Sequence, residues 1–279
     1  MTMFLRRRVA FSAGGPGGGH DYVCELTVSG SIDARTGMVV NIKDVDAVLR
    51  AQVVEPLDGK RLDTEVIWFR DTPPTPENLA RFAWDRCRAV LPPEGKLARV
   101  TLWAGPAFRA ELSEPRPGQK PPRQESPMLT ATRVYDFSAS HRLHSSALTA
   151  EENVEVFGKC NRENGHGHNY EVEVTLAGDP DPRSGRLFDP ACLDRIVEEE
   201  VLTPYDHRHL NLDVSDFQNL NPTSENLTRV IWDNLSRRLS QDTSGGGRLY
   251  RVCVRETPRN YFEYFGEDFG DEPEGTDRL

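Results

Sequence analysis

The chain has no long apolar run. Nothing in its 279 residues approaches the roughly 20 consecutive apolar residues that a membrane span needs. Its first residues, Arg6, Arg7 and Arg8 followed by Val-Ala-Phe, lack the apolar stretch of a secretory leader. Cysteine is scarce: Cys24, Cys87, Cys160, Cys192 and Cys253 are an odd set without disulfide-like spacing, which fits a reducing cytoplasm. A basic surplus is missing too. Residues 1–128 carry 18 basic and 16 acidic side chains, residues 129–279 carry 16 and 28, and the net charge is −10. Nucleic-acid backbones are held by basic surfaces, so the acidic second half argues against them as general partners. The apolar fraction, 37%, is ordinary and leaves room for one large domain or two ordinary ones.

Against that background one segment concentrates metal-binding chemistry. Cys160-Asn-Arg-Glu-Asn-Gly-His166-Gly-His168-Asn-Tyr170 holds a cysteine and two histidines within nine residues. After His168 the residues Tyr170, Val172, Val174 and Leu176 alternate with Asn169, Glu171, Glu173 and Thr175, the period of a strand. Side chains two apart on a strand share a face, so His166 and His168 can aim at one point across Gly167. Val134-Tyr-Asp-Phe-Ser-Ala-Ser-His141 reads as another strand, ending on a third histidine. Three imidazoles with an open fourth position point to a catalytic zinc site rather than a closed structural one.

The chain also repeats itself. Gly19-His-Asp-Tyr-Val-Cys-Glu-Leu-Thr-Val28 matches Gly167-His-Asn-Tyr-Glu-Val-Glu-Val-Thr-Leu176 at an offset of 148. The same offset pairs Gly30 with Gly178, Asp33 with Asp181, Gly37 with Gly185, Pro56 with Pro204 and Asp58 with Asp206. It then pairs Thr75-Pro-Glu-Asn78 with Thr223-Ser-Glu-Asn226, and Trp84-Asp85 with Trp232-Asp233. Constant register over that length marks a tandem duplication. Ser113-Glu-Pro-Arg-Pro-Gly-Gln-Lys-Pro-Pro-Arg-Gln-Glu-Ser-Pro127 reads as an extended linker between the copies. The expected organisation is a first unit over 1–112, a linker over 113–128, a second unit over 129–266 and a solvated acidic tail over 267–279. In the second unit, strands are expected over about 130–140 and 168–177, helices over about 190–200 and 223–240, and strands over about 248–256 and 260–265. The fold class is therefore α+β: in each unit a four-stranded antiparallel sheet with two helices on one face.

Comparing the copies separates scaffold from chemistry. His168 keeps a counterpart in His20, but His166 falls on Gly18 and His141 on Gly15. The front offset, from Phe11 to Phe137, is 126, so the second copy carries 22 extra residues between its first two strands, and Cys160 lies among them. His207 becomes Gly59 beside a retained Asp58, and Glu256 falls near Ala104. The losses concentrate on groups that bind metal or move protons, while glycines, prolines and core positions persist. The first copy reads as retained fold without retained chemistry.

Phe137-Ser-Ala-Ser-His141, Cys160-x5-His-Gly-His168-Asn-Tyr170, Asp206-His207 with Leu210-Asn211, Pro222-Thr-Ser-Glu-Asn226 and a late-strand Glu256 resemble the 6-pyruvoyltetrahydropterin synthase / 6-carboxytetrahydropterin synthase family across residues 130–266. The resemblance implies the tunnelling fold (T-fold) and 7,8-dihydroneopterin triphosphate as substrate. It implies that His141, His166 and His168 hold zinc, that Cys160 is the general base, and that Asp206 and His207 are the proton relay. Glu256 would anchor the pterin ring, in a pocket lined by Thr223, Ser224 and Glu225. The activity would be that of a carbon–oxygen lyase yielding the 6-pyruvoyl compound with loss of triphosphate, or the 6-carboxy compound on the route to deazaguanine (queuosine) nucleosides. The family builds barrels of three units stacked in pairs. Two units per chain then imply a homotrimer, with a ring of active copies on a ring of degenerate ones.

A competing reading is a non-catalytic pterin- or purine-binding protein with structural zinc. Retention of Cys160, Asp206 and His207 argues against it, since a pure binder needs neither base nor relay. His144 and His209 match no ligand role.

Overall fold

The computed structural model describes residues 2–15, 17–114, 127–241 and 246–266. Most of the proline-rich linker and all of the acidic tail lie outside the described residues. The chain gathers into two compact units. The first takes Met1–Thr132, Leu176–Phe188 and Gly245–Gly247, and the second Arg133–Thr175, Asp189–Ser244 and Arg248–Leu279.

In the first unit, β1 (Met3–Gly15) and β2 (Gly18–Gly30) form a long antiparallel hairpin in register from Met3↔Gly30 to Gly15↔Gly18. β3 (Lys96–Ala104) pairs antiparallel with β2, and β4 (Phe108–Ser113) with β3. The helix Pro76–Val90 lies on β3 and β4. Thr75 caps it through the Asn78 N–H, and Pro76 occupies the first turn, where a missing N–H costs nothing. Its spacing buries Leu79, Phe82, Ala83, Trp84 and Cys87 on one face. Removing the Trp84 ring, 1% exposed, would cost about 3–5 kcal/mol.

β5 (Met128–His141), β6 (His166–Gly178), β8 (Gly247–Thr257) and β9 (Asn260–Tyr264), whose larger parts belong to the second unit, lie side by side in that order, with β8 and β9 antiparallel. The helix Ser224–Leu239 buries Leu227, Ile231 and Leu235. The expected first helix is real but broken: Pro190–Val197 passes through a π-turn, Glu198–Leu202, into Thr203–Tyr205. The first unit breaks at the same place, with Ile42–Leu49, a π-turn Arg50–Val54 and then Glu55–Leu57. Pro56 and Pro204 follow these turns. A proline has no N–H for the ladder and its ring crowds the carbonyl four residues back, so the preceding turn widens.

Two elements depart from the expected plan. The 22-residue insertion contains a helix, Ala150–Phe157, started by a capping box in which Thr149 and Glu152 bond each other's backbone N–H groups. A two-residue strand, β7 (Arg208–His209), pairs parallel with Ala139 and Ser140 of β5.

Candidate metal centre and active site

β5 delivers the first ligand. Phe137, Ala139 and His141 alternate onto its buried face, at 3, 5 and 1% exposure. His141 Nδ1 lies 2.8 Å from the Pro222 carbonyl. A carbonyl only accepts, so Nδ1 carries the proton and Nε2 turns a lone pair inward. β6 delivers His166 and His168 two residues apart. The ligand nitrogens of the three rings all lie within 4.8 Å of one another, and His141 Nε2 is 3.2 Å from His166 Nε2. Gly165, at φ 64, makes this approach possible, because a Cβ there would overlap the His141 carbonyl.

This donor set fits a metal ion. His168 Nε2 and His166 Nδ1 are buried without a hydrogen-bond partner. Each such orphan costs about 1–3 kcal/mol unless something else engages it. Burial holds the His141 imidazole below its ordinary pKa, and His166 and His168 lower it further against the Pro222 hydrogen bond. Burial, then His168, does the same to His166. Neutral imidazoles are the form that ligates. His141, His166 and His168 are the group that could hold an ion, and three nitrogens leave a tetrahedral position open.

Of the expected substrate residues, Glu256 and Ser224 lie beside the trio. Glu256, near the end of β8, has Oε1 3.7 Å from His168 Nε2 and 3.9 Å from His141 Nε2. The same oxygen accepts from Ser224 Oγ at 2.9 Å, and Ser224 is buried at the start of its helix. Arg255 pairs with Glu171, so Glu256 is not tied up on the surface. Cys160 sits in a 3₁₀ turn, Gly158–Asn161, whose backbone is tied to the end of β5 by the Leu143 N–H. Burial raises the half-buried Cys160 thiol above its usual pKa, and the Glu256 charge adds to this. Tyr170 floors the site, its ring 5.5 Å from His168 and stacked on Phe137, with a buried hydroxyl that lacks a partner.

Asp206 and His207 are bonded to each other and to Ser138 of β5. Asp206 Oδ2 is 2.8 Å from His207 Nδ1, and Oδ1 accepts the Ser138 N–H at 2.8 Å. That Ser138 bond, then His207, holds the Asp206 carboxyl below its usual pKa. His207 is 82% exposed, and neither residue has a hydrogen bond or ion pair to the trio, Cys160 or Glu256 among the described residues. His207 is the lone non-glycine described residue at positive φ, 57. Thr223 caps the helix Ser224–Leu239, and Glu225 is exposed. His144 and His209 lie outside the trio, His144 bonding Asn161.

The first unit repeats the frame of this region without its donors. Ser12 N–H bonds Asp58 at 2.9 Å, and Gly59 N–H bonds the Ser12 carbonyl at 2.7 Å, as His207 N–H bonds Ser138 at 2.6 Å. Gly59 sits at φ 68, where the second unit places His207. His20 is exposed, and Gly15 and Gly18 face each other across the hairpin where the other two ligands would be. Gly165, Tyr170 and the Pro222 carbonyl had not been expected as parts of the site. Asn164-Gly165, a strong turn signal before the histidines, could have exposed the first of them.

The family model described as 6-pyruvoyl tetrahydropterin synthase matches residues 18–115 and again 130–267. The chain belongs to this family. Over 136 residues it is 46% identical to human 6-pyruvoyl tetrahydrobiopterin synthase, covering 49% of this chain and 90% of that protein. It is 35% identical over 139 residues to 6-carboxy-5,6,7,8-tetrahydropterin synthase of Bacillus subtilis, covering 48% and 88%. Among solved structures, 6-pyruvoyl tetrahydropterin synthase of Caenorhabditis elegans matches with 45% identity and a TM-score of 0.47, covering 50% of this chain and 96% of that one. The double match establishes the two-unit arrangement in this family, and both units combine sheet and helices. Among the described residues no helix is long and apolar enough to cross a membrane.

Proposed function

We propose that the second unit is a zinc-dependent pterin synthase, a carbon–oxygen lyase that acts on 7,8-dihydroneopterin triphosphate and expels triphosphate. The observation that carries this reading is the convergence of His141, His166 and His168 beside Glu256, whose charge also reaches the Cys160 thiol. Of the two products in view, the 6-pyruvoyl compound is favoured by 46% identity to a pyruvoyl-forming relative against 35% to a carboxy-forming one.

His141, His166 and His168 would hold the zinc, which when bound supplies Lewis-acid polarisation of side-chain oxygens. Glu256, fixed by Ser224, accepts hydrogen bonds from the aminopyrimidinone edge and orients the ring. Cys160, as thiolate, takes the proton from the carbon next to the ring. Asp206 fixes His207 Nδ1, leaving Nε2 to exchange a proton with solvent or substrate. This last assignment rests on the family motif. Thr223 acts through its cap, positioning Ser224. The first unit serves as scaffold, and the chain works as a homo-oligomer, three chains on the family's plan.

The test is to incubate the purified chain with 7,8-dihydroneopterin triphosphate and read product mass and released triphosphate. Turnover lost on chelation and restored by zinc supports the reading. Bound but unconverted substrate overturns it in favour of a binding protein.

A further inference from the structure

The first unit holds a cavity of about 500 Å³ at the Gly105 end of β3. That volume suits a small molecule, whose sites run from roughly 300 to 1,000 Å³. Phe11 and Tyr22, buried and stacked with centroids 5.3 Å apart, belong to its lining, as does the half-buried Trp103, which stands opposite Val23 of β2. Two carboxylates reach its rim. Ser12 Oγ donates to Asp21 Oδ1 at 2.5 Å, and the Ser12 N–H donates to Asp58 Oδ1 at 2.9 Å. Both acids are exposed, and among the described residues neither forms an ion pair.

The second unit shows which partners are gone. There Asp206 Oδ2 pairs with His207 Nδ1 at 2.8 Å, and Glu171 pairs with Arg255 at 3.0 Å. Ser138 Oγ donates to the neutral amide of Asn169 at 2.8 Å. In the first copy His207 has become Gly59, the Glu171–Arg255 pair has become Val23 opposite Trp103, and Asn169 has become Asp21. Both basic groups are lost, a carboxylate is gained, and an aromatic wall replaces an ion pair. Neither Asn169 nor Arg255 has a task in the second unit's chemistry, so the loss of that chemistry does not account for Asp21 or Trp103.

We propose that this cavity binds a small organic cation with a flat apolar body, of the class of aromatic amidines, guanidines and amines. The charged end sits against Asp58 Oδ2, in the place that the His207 imidazole fills beside Asp206, and Asp21 adds a second negative charge across Ser12. The flat body lies against Trp103, whose indole face attracts cations. Arg8 already approaches that ring, 4.8 Å from its centroid, but Glu25 neutralises it at 2.6 Å, so the cavity keeps its negative balance. The first unit then has a ligand of its own beside its role as scaffold. The proposal stands independently of the catalytic reading, and its readouts do not use activity.

The test is a titration of the full chain with benzamidine, a flat cation, and with benzamide, its neutral counterpart of nearly equal shape. Fluorotryptophan labelling gives each of the four tryptophans a fluorine NMR signal, and Trp103→Phe identifies the one from Trp103. Because the signal belongs to Trp103, ligand taken up elsewhere in the chain does not count. Benzamidine should shift it to saturation, and benzamide should bind about tenfold or more weakly. Asp58→Asn keeps an oxygen for the Ser12 N–H and should weaken benzamidine about tenfold or more. Gly59→His, which returns an imidazole to the side of Asp58, should weaken it too. Glu94→Gln, an exposed carboxylate ahead of the other end of β3, should change nothing. Should Asp58→Asn fail to fold, Asp21→Asn decides, since it supplies the residue the second copy carries at that place, and it should weaken binding several-fold. A Trp103 signal unmoved by benzamidine, equal binding of benzamide, or undiminished binding by any of these three variants in folded form overturns the proposal.

Discussion

Exchanging His207 and Gly59 tests whether the relay position stores strain for function. His207 is held at φ 57 while Gly59 takes the equivalent place at φ 68. A non-glycine residue in the left-handed region costs about 1–2 kcal/mol. His207→Gly removes that cost but frees the unfolded backbone, giving back about 0.4–1 kcal/mol. The lost pair with Asp206 is at the surface, with His207 82% exposed, and contributes little. These terms nearly cancel, so His207→Gly should leave the midpoint of thermal unfolding unchanged or raise it by up to about 3 °C. A relay histidine is worth about 100- to 10,000-fold in rate, and turnover should fall by that much. The reverse change, Gly59→His, acquires the strain without an assigned task and should destabilise by about 1 kcal/mol with turnover intact. Calorimetry and steady-state kinetics on both variants read this out. Destabilisation of His207→Gly by more than about 1 kcal/mol would refute the strain argument, and retained turnover would refute the relay.

Cys160→Ala is expected to abolish turnover while zinc, measured by plasma emission, stays near one per chain; lost zinc would make the thiol a ligand. Glu256→Gln should raise KM for the pterin about ten- to a hundredfold, since it removes a charged acceptor worth about 1.5–3 kcal/mol; an unchanged KM with lowered kcat would move Glu256 from orientation to chemistry. Burial raises the Glu77 carboxyl above its unfolded pKa. Its contribution to stability is therefore full below the unfolded value, about 4.3, and is lost as pH climbs through the folded one. Glu77→Gln should gain on the parent as pH rises above the unfolded value in chemical denaturation, and a difference independent of pH would contradict this.

Much of the fold could be read locally. Period-two alternation placed β6, and with it put His166 and His168 on one face, because strand geometry turns adjacent positions into opposite faces. The repeat identified two copies of one scaffold and which of them had lost its donors, because the constant offset acts as an internal alignment. The capping box at Thr149 and Glu152 was equally local, and reading it would have revealed the helix in the insertion. The break in each first helix was also written in its proline, though not the π-turn that resolves it.

What spacing could not supply is where distant segments meet. That His141 Nδ1 is held by the Pro222 carbonyl, that Gly165 must lack a side chain beside His141, and that Ser224 holds Glu256 depend on contacts between segments 24 to 81 residues apart. Hydrophobic burial sets those meetings through the whole core, and no short window of sequence contains it. The same holds for Asp206 and His207: sequence alone established a carboxylate beside an imidazole, while only the tertiary structure put them against Ser138. Residue chemistry is a local property, whereas which groups share a pocket is decided by packing.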